Sequence, residues 1–213
     1  MIEEAFTVFL VDDDAGVLKA LSRVLRGRGY NVRPYASSQA FLADHDPAAP
    51  GCAVLDVAMP GLDGLKLQQA LTAGEAQRPV IFITGRGDVP TSVRAMKAGA
   101  VDFLTKPVSG EALVEAIGRA AKQDSESRKL HVELAGINAK LTSLTPRERE
   151  VLGHVVAGRL NKQIAGALGT VEKTIKVHRS RMMEKLGVRT VADLVRLAEK
   201  AGISGQQQTP PSS

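Results

Sequence analysis

The first 122 residues alternate short apolar runs with segments of helical period. The runs are "FTVFLVD" (6–12), "YNVRPYA" (30–36), "CAVLD" (52–56), "PVIFIT" (79–84) and "VDFLT" (101–105). They are short and rich in β-branched or aromatic residues, as buried parallel strands should be. Between the first two, Val17, Leu18, Leu21, Val24 and Leu25 share one stripe of a helix over 15–28. "GLKLQQAL" and "PTSVRAMKAG" read as further helices, the second closing on Gly99 as a C-cap. This alternation predicts an α/β domain with a doubly wound parallel sheet. Functional groups in such a sheet gather at the carboxyl ends of the strands.

The pattern then changes. Residues 109–141 read as one long helix, with Ser109 as N-cap and Glu111 one place short of an ideal capping box. Inside it, Leu130, Leu134, Ile137 and Leu141 are spaced 4, 3 and 4, a short apolar seam. "KQDSESRK" (122–129) is polar and reads as either exposed helix or flexible linker. From 144 onward the segments are short helices. Thr145, Pro146 and Glu148 form a strong helix start with a capping box. A second helix is expected from Asn161 as cap to Gly169 as stop, a third ends at Gly187, and a fourth opens at Thr190 with Asp193. The expected plan is a domain over 1–122, a helical linker over 123–141, a four-helix all-α domain over 142–205 and a disordered tail over 206–213.

Charge separates the same regions. Residues 1–122 carry 13 Lys/Arg against 14 Asp/Glu, whereas residues 142–213 carry 12 against 6. A basic domain beside a near-neutral one suggests that the last third meets a polyanion. The single cysteine, Cys52, excludes an intrachain disulfide. The opening "MIEEAFTVFLVDDD" lacks a basic n-region, and no apolar run approaches the roughly 20 residues that span a bilayer. A cytoplasmic protein with no membrane partner is expected. The histidines, at 45, 131, 154 and 178, share no metal-ligand spacing, and P-loop, nucleophile-elbow and GxGxxG motifs are absent.

Candidate chemistry lies at the strand ends. The first run ends in Asp12, Asp13 and Asp14, the third in Asp56, the fourth in Thr84 and Gly85, and the fifth in Lys106 and Pro107. One strand-end acid is usually a helix cap, but agreement among four ends is an improbable accident. Clustered carboxylates need a cation. Oxygen ligands suit Mg2+ (or Mn2+), and Lys106 adds a second positive charge. The set describes a phosphoryl pocket with a carboxylate as nucleophile.

"VFLVDDD", "VLDVAMPGLDG", "VIFITGRGD" and "KAGAVDFLTKP" resemble, in order and spacing, the motifs of a two-component response regulator receiver domain. The resemblance covers about residues 5–122. It implies a flavodoxin-like five-stranded parallel sheet of order 2-1-3-4-5, and Asp56 as acceptor of a phosphoryl group from a sensor histidine kinase. It further implies that Asp12, Asp13, Asp56 and the Ala58 backbone carbonyl hold the metal. Thr84 and Lys106 would bind the phosphoryl group, Phe103 would be the aromatic switch, and the Lys106–Pro107 bond would be cis. Ala58 departs from the Arg or other polar residue common there.

In the third C-terminal helix, Lys173, Lys176, Val177, Ser180, Arg181 and Glu184 form a continuous outer face. Basic residues there could neutralise phosphates, and Val177 could touch a thymine methyl group. "LTPREREVLGHVVAG", "NKQIAGALG" and "TIKVHRSRMMEKLGV" resemble a LuxR-type helix-turn-helix, as in the NarL/FixJ class, with a likeness to the FixJ-like subgroup. The resemblance implies base contacts by Lys176, Val177 and Ser180. Thr174, Lys173 and Arg179 would contact the DNA backbone, with Arg181 on the same face. Val171 departs from the usual Ser cap, and Thr170 is expected to take over, starting the helix one residue earlier. The implied function is a phosphorylation-activated transcriptional regulator, most commonly an activator. It would form a homodimer on phosphorylation, bind double-stranded promoter DNA and work with RNA polymerase, without being an enzyme. Two rivals have distinct signatures. A phosphohydrolase using Asp12 in "DDDAG" would turn over phosphoesters, although Gly16 breaks its motif. A receiver with a protein-binding appendage would tolerate Lys176→Glu.

Overall fold

The computed structural model describes residues 6–72, 78–85 and 89–203. Its order is β1 (Thr7–Val11), α1 (Ala15–Gly27), β2 (Asn31–Tyr35), α2 (Ser38–Asp44), β3 (Gly51–Asp56), α3 (Gly64–Thr72), β4 (Val80–Thr84), α4 (Val89–Lys97), β5 (Asp102–Thr105) and α5 (Gly110–Thr142). The helices α6 (Pro146–Val156), α7 (Asn161–Ala167), α8 (Glu172–Leu186) and α9 (Val191–Lys200) follow. The five strands form one parallel sheet of order β2-β1-β3-β4-β5, as expected.

Strand period builds two cores. Val8, Leu10, Val54, Ile81 and Ile83 pack with Leu21 and Leu25 of α1 and Leu113 and Ile117 of α5. The intervening Phe9, Val11, Leu55 and Phe82 pack with Phe41 of α2, Leu67 and Leu71 of α3 and Ala95 of α4. Each fully buried aliphatic or aromatic side chain is worth roughly 1.5–3 kcal/mol. A one-residue slip would exchange the faces, so the register that aligns the strand ends is strongly held.

The edges differ from expectation. β2 is not a buried strand: Asn31, Arg33 and Pro34 are exposed, because it has only β1 as neighbour. Pro34, lacking an N–H, suits such an edge. The helix α2 is too short to show a periodic stripe and is not among the segments that the pattern identifies. Its start is marked by Ser37, whose hydroxyl accepts from the Ala40 N–H.

Chain contacts divide the molecule into residues 1–129 and 130–213. Of the two readings of 122–129, the helical one holds. Asp124 is buried and accepts from the Gly51 N–H at 3.3 Å and from Arg128 Nε at 2.8 Å. Arg128 donates in turn to the Ala48 and Ala49 carbonyls, each at 2.6 Å.

The second unit has its own core of Leu144, Val151, Leu152, Val155, Ile164, Ile175, Met182, Leu186 and Leu194, against which Leu141 packs. Its first complete helix carries the expected capping box: Thr145 Oγ1 accepts from the Glu148 N–H and Glu148 accepts from the Thr145 N–H. Gly187 closes α8 with φ +70°, a conformation open to glycine at little cost. Thr190 caps α9 from the Asp193 N–H. Two expected caps are corrected. Asn161 is the first residue of α7 rather than its cap; Leu160 occupies the cap, and its N–H is satisfied by Gln163. Val171, not Thr170, occupies the cap of α8, which begins at Glu172 and has no side-chain cap bond. Valine has no oxygen to offer, and Thr170 instead closes the preceding turn through its N–H to the Ala165 carbonyl. The expected tail, 206–213, lies outside the described residues.

Candidate functional site

The run Asp12-Asp13-Asp14 leaves β1 and divides its labour. Asp14 caps α1, its Oδ1 accepting from the N–H groups of Gly16 at 2.7 Å and Val17 at 3.2 Å. Asp13 is exposed and makes no hydrogen bond or ion pair among the described residues. Asp12 turns into the protein and is buried. At the end of the neighbouring β3, Asp56 is buried beside it. Lys106, just past β5, lies between them: its Nζ is 2.6 Å from Asp12 Oδ2 and 2.9 Å from Asp56 Oδ1. The remaining oxygens accept backbone N–H groups, Asp12 Oδ1 from Asp14 and Asp56 Oδ2 from Ala58, both at 2.9 Å. Two carboxylates facing one ammonium leave the pocket with excess negative charge.

Burial and pairing set the proton affinities of these groups. Burial pushes the Asp12 carboxyl above its ordinary value, against the pull of Lys106 and the Asp14 N–H. Burial alone would lower Lys106, but its hydrogen bonds to Asp12 and Asp56 outweigh that and hold its pKa above the ordinary value.

Thr84 ends β4, is buried and pairs in register with Thr105. Its carbonyl accepts the Lys106 N–H at 2.7 Å, which ties the lysine to the sheet. The Lys106–Pro107 bond is cis, as expected. Phe103 is half-buried and packs on Phe82, with ring centroids 6.1 Å apart. The structure therefore gathers Asp12, Asp56 and Lys106, places Thr84 and Phe103 on the adjoining strands, and leaves the Asp13 carboxylate outside. Among the described residues no three His, Cys, Asp or Glu side chains converge as a metal-binding group. The donor chemistry still fits a hard divalent cation: every acidic atom at this edge is oxygen and their charge exceeds that of Lys106.

The loop after Asp56 depends on residues that carry no chemistry of their own. Gly61 has φ +81° and makes the turn. A Cβ on Gly64 would lie 2.3 Å from the Asp56 carbonyl oxygen, so only glycine lets α3 begin against the site. Ser38 Oγ donates to the Leu62 carbonyl at 2.7 Å and holds the loop from α2. The two glycines of "PGLDG" were the available signal. Ala58 is exposed, and its N–H is committed to Asp56.

In the second unit, Lys173, Lys176, Ser180 and Arg181 are exposed on α8, and Thr174 is half-buried. Val177 is 43% exposed among them. Lys176 has one loose partner, Glu172 at 3.5 Å. Arg179 does not join that face: it is half-buried and its Nη1 donates to Asn161 Oδ1 at 3.0 Å. Charge also ties the helices together. Lys185 Nζ, on α8, is 2.7 Å from Glu148 of α6. That contact, with the Thr145 N–H, holds the Glu148 carboxyl below its ordinary value. Arg147 of α6 donates to the Leu168 carbonyl after α7 at 2.5 Å. Among the described residues no helix is long and apolar enough to cross a membrane.

Known proteins resemble this arrangement along the chain. A profile described as response regulator receiver domain matches residues 8–118, and one described as bacterial regulatory proteins, luxR family, matches 142–198. Response regulator protein TmoT of Ectopseudomonas mendocina is 43% identical over 200 residues, covering 94% of this chain and 91% of its own length. Transcriptional regulatory protein FixJ of Bradyrhizobium diazoefficiens is 39% identical over 196 residues, 92% of this chain and 96% of its own. The solved structure of response regulator StyR is 45% identical, superposes with a TM-score of 0.79, and covers 92% of this chain and 99% of that one.

Proposed function

We infer the function from family membership: this chain belongs to the two-component response regulators that join a receiver domain to a LuxR-type DNA-binding domain. Such a chain is a transcription factor rather than an enzyme, with a sensor kinase and DNA as partners. Within that frame, Asp56 is the phosphoacceptor. The supporting observation is its buried carboxylate, 2.9 Å from Lys106 Nζ and beside the buried Asp12. An Asp56 oxygen forms a bond to phosphorus while the bond from phosphorus to the donor histidine nitrogen breaks, and the imidazole leaves with the bonding pair. Lys106 exchanges its contact with the Asp56 carboxylate for one with the phosphoryl oxygens, whose charge grows during transfer. Asp12, Asp56 and the Ala58 carbonyl would hold Mg2+ (or Mn2+), with Asp13 turning in from its exposed position to join them, and the ion when bound supplies further positive charge to those oxygens.

The phosphorylated product adds roughly −1.5 to −2 charge at the sheet edge. The Thr84 hydroxyl follows the new acceptors, and Phe103 turns into the space it leaves. The surface of α4, β5 and α5 is then altered, and two chains pair through it. In the second unit, Lys176, Val177 and Ser180 read base edges, while Lys173, Thr174 and Arg181 neutralise or approach the backbone. The paired protein activates transcription by engaging RNA polymerase.

The test combines phosphorylation and assembly. The full chain is incubated with acetyl phosphate and Mg2+, and its covalent mass and its sedimentation are measured. The wild type gains one phosphoryl group and dimerises; Asp56→Asn does neither. Donor-dependent dimerisation of Asp56→Asn would overturn the switch, and turnover of a generic phosphoester would favour the hydrolase.

A further inference from the structure

The basic residues of α8 are not equivalent. Arg179 stands four residues after Ile175 and three before Met182, both fully buried, so it shares the inner stripe of the helix. Asn161 stands three and four residues before Ile164 and Ala165, both buried, so it lies on the inner face of α7. The Arg179 Nη1 to Asn161 Oδ1 bond, 3.0 Å, is the one side-chain hydrogen bond joining α7 to α8 among the described residues. Neither helix has a side-chain N-cap bond, since Leu160 and Val171 occupy those places. Other ends are tied to α6 instead, the end of α7 by Arg147 and the end of α8 by Lys185. Among the described residues, Arg179 alone ties the start of α7 to another helix through a side-chain hydrogen bond.

We propose that Arg179 sets the pose of α8 through Asn161 and does not hold DNA, making both of them positioning residues for the reading face. The proposal rests on the DNA-reading role given to α8 above. To reach a phosphate, Arg179 would have to leave a half-buried amide oxygen without its donor, a cost that the exposed Lys173 and Arg181 do not incur. A small rotation of α8 shifts every base contact at once, so one hydrogen bond at its crossing with α7 has leverage over binding.

The experiment uses the full chain treated with acetyl phosphate, and a duplex that the wild type enriches from a random-sequence pool. Affinity is measured across a range of salt concentrations. Asn161→Ala removes no charge, yet it is expected to weaken binding about tenfold with the salt dependence unchanged. Asn161→Asp keeps an acceptor for Arg179 and binds better than Asn161→Ala despite its added negative charge. Arg179→Met combined with Asn161→Ala loses no more than the larger single loss. Three results overturn the inference: wild-type binding by Asn161→Ala, weaker binding by Asn161→Asp than by Asn161→Ala, or additive losses in the double variant. A pool in which the wild type enriches nothing overturns the DNA reading itself.

Discussion

Lys106 and Lys176 show how differently the two units use the same side chain. Lys106 is 22% exposed and touches two buried carboxylates at 2.6 and 2.9 Å. Lys176 is 65% exposed, with one exposed partner at 3.5 Å. Charges at the sheet edge are desolvated and paired in advance, so each interaction is strong and each loss is felt in the fold. Charges on α8 remain in water, where an ion pair contributes little to stability. They are available to an incoming polyanion, whose counterions they would displace under the proposed function. On the proposed function, the site for phosphoryl chemistry is built by burial and the surface for DNA by leaving charge exposed.

The largest test of that contrast is Lys106→Met. It leaves Asp12 and Asp56 buried without their cation, and denaturant unfolding at pH 7 in metal-free buffer should show a loss of roughly 2–3 kcal/mol. Because the Asp12 pKa already lies above its ordinary 3.8, protonating it relieves the repulsion, so the deficit should shrink as the pH falls toward that range. Added Mg2+ should restore part of the loss at pH 7. An equal deficit at every pH would show that burial does not govern this pocket.

Lys176→Ala should behave in the opposite way. Stability should change by less than about 0.5 kcal/mol, while specific DNA binding loses roughly 1–3 kcal/mol and discrimination relaxes at one base position. A selection from randomised duplexes reads both effects. Unaltered binding would return the appendage to a protein-contact role.

The smallest test concerns Glu148, which behaves as a receiver-like acid within the basic unit. Its pKa lies below the ordinary 4.5, through Lys185 first and then the Thr145 N–H. The stabilisation is therefore present above pH 4.5 and lost as the pH falls through the lower, folded-state value. Glu148→Gln should cost about 1 kcal/mol at pH 7 and flatten that acid limb in calorimetry. An unchanged limb would mean that Lys185 contributes nothing there.

Much of this was legible along the chain, for local reasons. Strand period divided Val8 and Leu10 from Phe9 and Val11, and with them the two faces of the sheet. The box at Thr145 and Glu148, the stop at Gly187 and the turn at Gly61 each follow from one residue's conformational or hydrogen-bonding capacity. The acids at strand ends could be named because parallel order brings those ends to one edge. Cap identity was less legible at Asn161 and Thr170, since a competent side chain does not cap unless the backbone places it one residue before the helix.

Sequence by itself determined the alternation of strands and helices, the acidic and basic edges and the residues able to carry chemistry, because these depend on side-chain type and short-range period. The tertiary structure decided which of three consecutive aspartates enters the pocket. It also gave Arg179, which helical period alone sets off the outer face of α8, its partner in Asn161. It bound residues 124 and 128 to the loop before β3. Those outcomes depend on desolvation and on partners 18 to 94 positions away in the chain, which no local pattern names.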